Sequence, residues 1–174
     1  MMTREPVVAG MFYPDDRREL EQEVRKYLEV APSKRPAGTV RGLISPHAGY
    51  VYSGGTAAAG YRLLRGRKYD AVVVVGPSHR DYFDGISIYP GDAFRTPFGA
   101  VAIHDDVRKE LLEFDDAIRL SDLGHRQEHS VEVQLPFIQE VLGDFKFVQI
   151  NGRSSAKFSP AHWRASDAHA SSCS

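Results

Sequence analysis

The apolar run AVVVV at residues 71–75 restricts the possible folds of this 174-residue chain more than any other segment. Consecutive small or β-branched apolar residues without polar alternation are typical of a strand that is covered on both faces of a parallel sheet. We therefore predict a strand over residues 69–76. The run is far too short to span a bilayer, and the pattern indicates an α/β protein.

A second segment with apolar and β-branched residues, TVRGLIS at residues 39–45, predicts a strand upstream of the first. Between them, residues 54–66 carry small and apolar side chains and predict a helix that ends at Gly66. A strand–helix–strand unit over residues 39–76 makes its two strands parallel, through a right-handed crossover. We expect an α/β fold whose central sheet, largely parallel or mixed, carries helices on both faces.

The other segments predict elements that complete such a sheet. Apolar residues at helical spacing indicate three further helices, over residues 16–29, 105–114 and 130–143. Residues 84–104 predict two strands joined by a turn, and residues 145–150 predict a last buried strand. A chain of this length is expected to form one domain.

Composition excludes several classes of protein. A formal net charge of −1 and a pI of about 6.7 give no general attraction to nucleic acid or anionic lipid, so we expect neither as a partner. The single cysteine, Cys173, rules out an internal disulfide framework. The first residues contain no apolar segment of signal-peptide length. We expect a cytoplasmic protein.

Each of the two predicted strands is followed by a proline and a histidine. His47 lies two residues beyond the first strand, and His79 lies at a similar distance beyond the second. Ligands of open α/β sheets collect outside the carboxyl ends of the strands, and neighbouring strands are about 4.8 Å apart. The two imidazoles can therefore converge on one small ligand or metal. The alternative is that each histidine is an ordinary hydrogen-bonded loop residue.

The segment HRQEH at residues 125–129 matches the H-x-x-E-H pattern of inverted zinc metallopeptidases. That chemistry needs both histidines on one face of a helix, whereas this segment is polar and the predicted helix starts only at Ser130. We therefore disfavour a peptidase and expect His125 to be an exposed loop residue. His129 is expected at a helix N-terminus, where polar groups often face a site.

Two further residues are candidates for an anion pocket. Ser53, in SGGT at the start of a predicted helix, is placed to cradle a carboxylate or phosphate. Arg95, in FRTPFG, is a candidate anion clamp. Ordinary helix capping for Ser53 and an exposed hairpin position for Arg95 are the alternatives.

The motifs AGMFYP, LISPHAGYVYSG, GPSHR, FRTPFG and EHSVEVQLPFIQ occur in this order over residues 4–150. Together they closely resemble the Memo family (mediator of cell motility and its prokaryotic relatives). The resemblance implies a fold like that of the LigB-type class III extradiol dioxygenases. It also implies a pocket in which histidines and a cysteine hold a non-haem metal, iron or copper. His47 and His79 match the family's metal-binding histidines. His129 matches a histidine near the pocket that we expect to be catalytic, as a proton donor, and Phe12 matches an aromatic residue at the pocket mouth.

The resemblance stops near residue 150. Residues 151–174 contain seven serines, as many as the preceding 150 residues, and show no apolar period. The family's later motif, similar to SSDF-x-H-W-G, and its cysteine ligand have no match here, and Cys173 is not assigned to that role. We expect a partial Memo-like domain over residues 1–150. We expect residues 151–174 to form a disordered polar tail, and we hypothesise that they are translated out of frame from a longer gene. With only two matched ligands, metal binding is expected to be weak.

Three functions are compatible with these observations. The first is a non-haem metal protein with a redox or dioxygenase-like role on an unknown small molecule. The second is a non-catalytic module that binds an anion or a phosphopeptide. The third is a truncated fragment without function. The resemblance also implies a pathway link to a radical-SAM protein, and it does not decide whether the chain is an enzyme.

Overall fold

The computed structural model describes residues 2–32 and 36–152, in which strands and helices alternate along the chain. The strands are β1 (Thr3–Arg4), β2 (Val72–Pro77), β3 (Ile86–Ile88), β4 (Ala93–Thr96), β5 (Gly99–Ile103), β6 (Ile118–Leu120) and β7 (Lys146–Gly152). The helices are α1 (Arg17–Val30), α2 (Tyr50–Tyr61), α3 (Asp105–Phe114) and α4 (Leu135–Leu142). Short 3₁₀ turns precede α4 and follow α2. Most of the predicted tail, including Cys173, lies outside the described residues.

Helix α1 forms as its sequence predicts. The Asp16 carboxylate accepts hydrogen bonds from the backbone N–H groups of Arg18 and Glu19 and caps the helix. Leu20, Val24 and Leu28 recur every fourth residue and are fully buried. The predicted helix over residues 16–29 is thus confirmed within one residue at each end.

The seven strands form one mixed sheet with β7 at its centre. One edge of β7 pairs in parallel with the whole length of β2, from Val72↔Phe147 to Pro77↔Gly152. The other edge of β7 is shared by β5, which is parallel to it, and β3, which is antiparallel. Strands β4 and β1 extend the sheet beyond β5, and β6 extends it beyond β3.

Helices cover both faces of this sheet, as the predicted fold class requires. Phe147 points to the face where Leu135 of α4 packs, and helices α1, α2 and α4 share one apolar cluster on that side. Val148 and Ile150 point to the other face, against apolar residues of α3. The alternation of side chains along β7 therefore places the core on both sides of the strand. In the described ranges, no helix has both the length and the apolar character to cross a membrane.

The predicted strand at residues 39–45 is wrong, and with it the predicted strand–helix–strand unit. These residues are irregular and largely exposed, and Ile44 is completely exposed. A β-branched segment adopts a strand only where a neighbouring strand offers a ladder and a surface to pack on. In the described part of the chain, β7 is the only strand that pairs with β2.

Two other sequence expectations need adjustment. Helix α2 begins at Tyr50, four residues before the predicted start at residue 54. Residues 50–53 form its first turn. The segment 84–104 contains three short strands, of which only β4 and β5 form a hairpin. The sequence therefore gives the order of the elements better than their boundaries.

Candidate metal centre

Three histidine rings meet at the carboxyl end of β2. The centroids of His47 and His79 are 5.2 Å apart, those of His79 and His129 are 4.9 Å apart, and those of His47 and His129 are 6.1 Å apart. The His79 and His129 rings are stacked, with an interplanar angle of 18°. We call His47, His79 and His129 the imidazole cluster.

His47 reaches the cluster without a strand to carry it. The carbonyl of Pro46, next to it, accepts a 3.0 Å hydrogen bond from the Gln134 amide. Downstream, the Tyr50 N–H donates to the Phe12 carbonyl at 2.7 Å, which fixes the start of α2. His47 therefore lies next to His79 as expected, but it is held there by the contacts of Pro46 and Tyr50 and not by the end of a strand.

Glu128 lies beneath the cluster and orients it. Its carboxylate is fully buried and accepts four hydrogen bonds from its surroundings. The donors are the His79 ring Nδ1 (2.9 Å) and the backbone N–H groups of His79 (2.6 Å), His129 (2.9 Å) and Ser130 (2.8 Å). Because an ionised carboxylate can only accept, His79 Nδ1 carries a proton, and in the neutral form of the ring Nε2 then has the free lone pair. Carboxylates in this position orient metal-binding histidines in many proteins.

The surroundings of Glu128 keep it ionised. Burial alone would raise its pKa, but the hydrogen bonds from the His79 and Ser130 backbones and from the His79 ring outweigh burial and lower the pKa to about 2. Burial lowers the pKa of His129, with help from His79, His47 and Arg80, although Glu128 opposes the shift. The neutral imidazole that results is the form that binds a metal.

The donor set fits a transition metal. His79, Glu128 and His129 each have one potential ligand atom within 4.8 Å of the others, and His47 completes a set of three imidazoles. Two nitrogens bound to one zinc-sized ion are about 3.4 Å apart, so the rings would have to rotate to bring their nitrogens together. The His79 side chain is 39% exposed and has room to rotate. Since the Glu128 oxygens already accept four hydrogen bonds, Glu128 is better suited to orienting the imidazoles than to binding an ion itself.

The other predicted site residues lie in different places. Phe12 packs edge-on against the His129 ring, with centroids 4.9 Å apart, and so borders the cluster. The Ser53 hydroxyl donates to the Ala48 carbonyl at 3.0 Å within the first turn of α2. Arg95 forms an exposed ion pair with Glu5 at 2.9 Å on β4. The structure thus brings Phe12 to the histidines, while Ser53 and Arg95 have other partners.

The expectation that His125 is exposed is wrong. Its side chain is fully buried, and Ser87 Oγ lies 3.0 Å from its Nε2. Desolvation lowers the pKa of His125 to about 4, and Arg4 adds to the effect. Because His125 packs beside Ser87 and Tyr89 and not beside His129, the H-x-x-E-H letters do not form a metallopeptidase site. The polar composition of residues 121–130 gave no signal of this burial.

A buried ion pair holds the loop that carries Glu128 and His129. Arg4 Nη1 donates to Glu132 Oε2 at 2.8 Å, and the same guanidinium donates to the backbone carbonyls of His125 (2.7 Å) and Glu128. Glu132 also accepts from the Tyr13 hydroxyl at 2.8 Å. Both side chains of the pair are almost completely inaccessible. Neither residue was identified from the sequence, where they lie 128 positions apart.

Comparison with known proteins identifies the family. The family model for Memo-like proteins matches residues 4–154. A MEMO1 family protein of Thermotoga neapolitana is 40% identical over 159 residues, which cover 86% of this chain and 57% of that protein. Relatives from Thermoplasma acidophilum and Aquifex aeolicus are 38% and 39% identical, again over 86% of this chain and 55% of their own lengths. The chain therefore spans about half the length of the curated relatives it matches. Together these matches show that the chain belongs to the Memo family.

Proposed function

We propose that the imidazole cluster binds a non-haem transition metal, iron or copper, and that the function of the pocket depends on this metal. The observation that supports the proposal most is the meeting of three imidazole rings, with centroids no more than 6.1 Å apart, above one buried carboxylate. Hydrogen-bonded loop histidines on separate segments have no reason to converge in this way. Imidazole nitrogens are suitable ligands for either metal.

In this proposal each residue has a defined task. His47, His79 and His129 hold the metal as neutral imidazoles, and Glu128 fixes the His79 ring so that Nε2 faces the metal. Three protein ligands leave coordination positions open, and the bound metal would there supply Lewis-acid or redox chemistry to a small molecule. His129 thus takes the place of the third ligand, and Phe12 shields its ring from one side.

An anion or phosphopeptide site has less support. Arg95, the predicted anion clamp, is paired with Glu5, and the Ser53 hydroxyl is used within its own helix turn. The ionised carboxylate of Glu128 beneath the imidazole cluster also disfavours a phosphate electrostatically. The metal site is therefore the better account of the same residues.

Metal analysis of variants tests the proposal. The wild type, His79→Ala and His104→Ala would each be reconstituted anaerobically with Fe²⁺, and separately with Cu²⁺, then desalted and analysed for metal. We expect about one metal per chain in the wild type and in His104→Ala, whose histidine caps α3 away from the cluster. We expect at least tenfold weaker binding in His79→Ala, because a principal ligand is lost.

Equal metal content in the wild type and His79→Ala would contradict the proposal. So would a metal-free wild type whose histidine signals respond only to phosphate, since that result would favour the anion site. Circular dichroism of each variant distinguishes loss of a ligand from loss of the fold.

A further inference from the structure

Gln134 is a buried amide that joins the segments of two histidines in the imidazole cluster. Its side-chain Nε2 donates to the Pro46 carbonyl at 3.0 Å and to the Ser130 carbonyl at 3.1 Å. Pro46 directly precedes His47, and Ser130 directly follows His129. A primary amide has two N–H donors, so both donors of this side chain are used to connect the two segments.

The hydroxyl of Tyr61 fixes the orientation of the Gln134 amide. It donates to Gln134 Oε1 at 2.7 Å, and the Tyr61 ring is itself stacked on Phe137 with an interplanar angle of 8°. A reversed amide would turn its oxygen towards two carbonyl oxygens, which have no hydrogen to donate. Gln134 and Tyr61 are both buried, so water has little access to compete for these hydrogen bonds.

The segment that carries His47 depends on contacts of this kind. Residues 40–47 belong to no helix or strand, so no ladder of backbone hydrogen bonds holds them. The rings of His47 and His129 also have the largest separation in the cluster, with centroids 6.1 Å apart. Without the amide, the carbonyls of Pro46 and Ser130 would lose a buried donor and the tie between their segments.

We propose that Gln134 is a positioning residue that sets the separation between His47 and His129. Tyr61 contributes by keeping the amide in the orientation that donates to both segments. The geometric part of this inference stands on the hydrogen bonds alone, whereas its consequence for metal binding rests on the proposed function. Gln134 does not itself contact the metal or a substrate in this account.

Nuclear Overhauser effects (NOEs) between the imidazole rings, measured in chelator, test the geometry without metal. Gln134→Met keeps the length of the side chain and removes its N–H donors. We expect NOEs between the rings of His47 and His129 in the wild type and their loss in this variant. NOEs between His79 and His129 should remain, because Glu128 holds these two residues by separate hydrogen bonds.

Gln139→Met is the matched control, because Gln139 makes the same kind of connection elsewhere on α4. Its Oε1 accepts from the Thr96 hydroxyl at 2.6 Å, and its Nε2 donates to the Gly99 carbonyl at 3.4 Å. Both partners belong to the β4–β5 hairpin and not to the imidazole cluster. This variant should therefore keep the NOEs of the wild type.

Titration with Zn²⁺ adds a readout that a purely structural role would not move. We expect Gln134→Met to bind Zn²⁺ about tenfold or more weakly than the wild type, and Gln139→Met to bind it with unchanged affinity. Both variants lose an amide that joins two segments, so thermal unfolding should show a lowered midpoint in each. Tyr61→Phe keeps the aromatic stack and removes only the orienting hydroxyl. It should weaken the same NOEs and the Zn²⁺ affinity, but less than Gln134→Met does.

Unchanged NOEs between His47 and His129 in Gln134→Met would overturn the inference. So would an equal loss of these NOEs in Gln139→Met, because the effect would then be a general loosening of α4. If Gln134→Met does not fold, Tyr61→Phe decides the question, and wild-type NOEs in that variant would overturn the inference. A wild type that shows the NOEs, loses them in Gln134→Met and binds no Zn²⁺ would support the positioning role while contradicting the proposed metal function.

Discussion

At the scale of single residues, Glu128 explains most of the arrangement of the site. One buried carboxylate accepts hydrogen bonds from the ring and backbone of His79 and from the backbones of His129 and Ser130. It therefore sets the tautomer of one histidine and the path of the loop that carries another. The sequence predicted all three histidines as site residues but gave Glu128 no role beyond a disfavoured peptidase motif. The Glu128 carboxylate is buried by contacts with residues far away in the sequence, such as His79, and the residues next to it do not predict those contacts.

Replacing Glu128 with glutamine should weaken metal binding more than it weakens the fold. An amide presents two donors to a pocket that contains only donors, so the His79 ring loses its fixed tautomer. We expect a loss of about 10–100-fold in metal affinity, measured by competition with a chromogenic chelator. The control is Glu5→Gln, in an exposed pair with Arg95, which should bind metal like the wild type. An unchanged affinity in Glu128→Gln would exclude the orienting role.

His125 should make the protein less stable in mild acid. Its folded-state pKa, about 4, is below the ordinary 6.5, so above pH 6.5 both states are neutral and His125 contributes no pH dependence. Between pH 6.5 and 4, His125 binds a proton in the unfolded state but stays neutral in the folded state. The free energy of unfolding then falls, by at most about 3 kcal/mol. Below pH 4.5 a separate loss begins at Glu128, whose folded pKa of about 2 delays its protonation.

Urea unfolding between pH 8 and 4, together with histidine titration by NMR, measures this effect. His129 contributes to the same pH range because burial also lowers its pKa, so the assignment rests on the NMR signal of His125. An imidazole of His125 that titrates near 6.5 would contradict its burial.

At the scale of elements, the contact between β2 and the loop before α4 sets the depth of the pocket. Gly76 is buried in β2, and a Cβ placed on it would lie 2.5 Å from Ser130 Oγ and 2.9 Å from a methyl group of Val131. The Ser130 hydroxyl in turn donates to the Pro77 carbonyl at 3.2 Å. This close approach keeps His129 near His79.

Gly76→Ala should push the loop away from β2. We expect the free energy of unfolding to fall by about 1–3 kcal/mol because of overpacking, and metal affinity to fall with it because His129 is displaced. Gly42→Ala is the matched control, since a Cβ at Gly42 meets nothing within 4 Å. Chemical denaturation compares the two. An equal free energy of unfolding in both variants would show that β2 and the loop can move apart without destabilising the fold.

The elements also show where sequence reasoning succeeds and where it stops. Helix α1 and strand β2 are visible in the sequence because their own residues determine them. Helix α1 has an N-cap and apolar residues at every fourth position, and strand β2 is a continuous apolar run. Residues 39–45 have equal strand character, but a strand needs a partner, and partners are distant in sequence. The convergence of His47 and His79 was predicted from two strand ends, and it arises instead from one strand end and one anchored loop.

At the scale of the whole molecule, the Arg4–Glu132 pair joins the first strand to the loop that carries the site. Arg4→Met removes one partner and leaves the Glu132 carboxylate buried without its cation, so we expect a loss of about 3–5 kcal/mol in the free energy of unfolding. Arg95→Met breaks an exposed pair with Glu5 and should cost less than about 1 kcal/mol. Thermal or chemical unfolding of the two variants measures the difference. Similar small losses in both would mean that the N-terminal segment does not hold the site.

The central claim is that three imidazoles from three distant segments of the molecule bind one metal. Long-range ¹H–¹⁵N NMR during titration with Zn²⁺, a diamagnetic stand-in for the proposed metal, tests this claim most directly. We predict that His47, His79 and His129 shift together and saturate at one equivalent, with His79 coordinated through Nε2 and protonated at Nδ1, while His104 and His125 do not respond. Zn²⁺ that leaves the three signals unchanged, or that perturbs only one of them, would contradict the account.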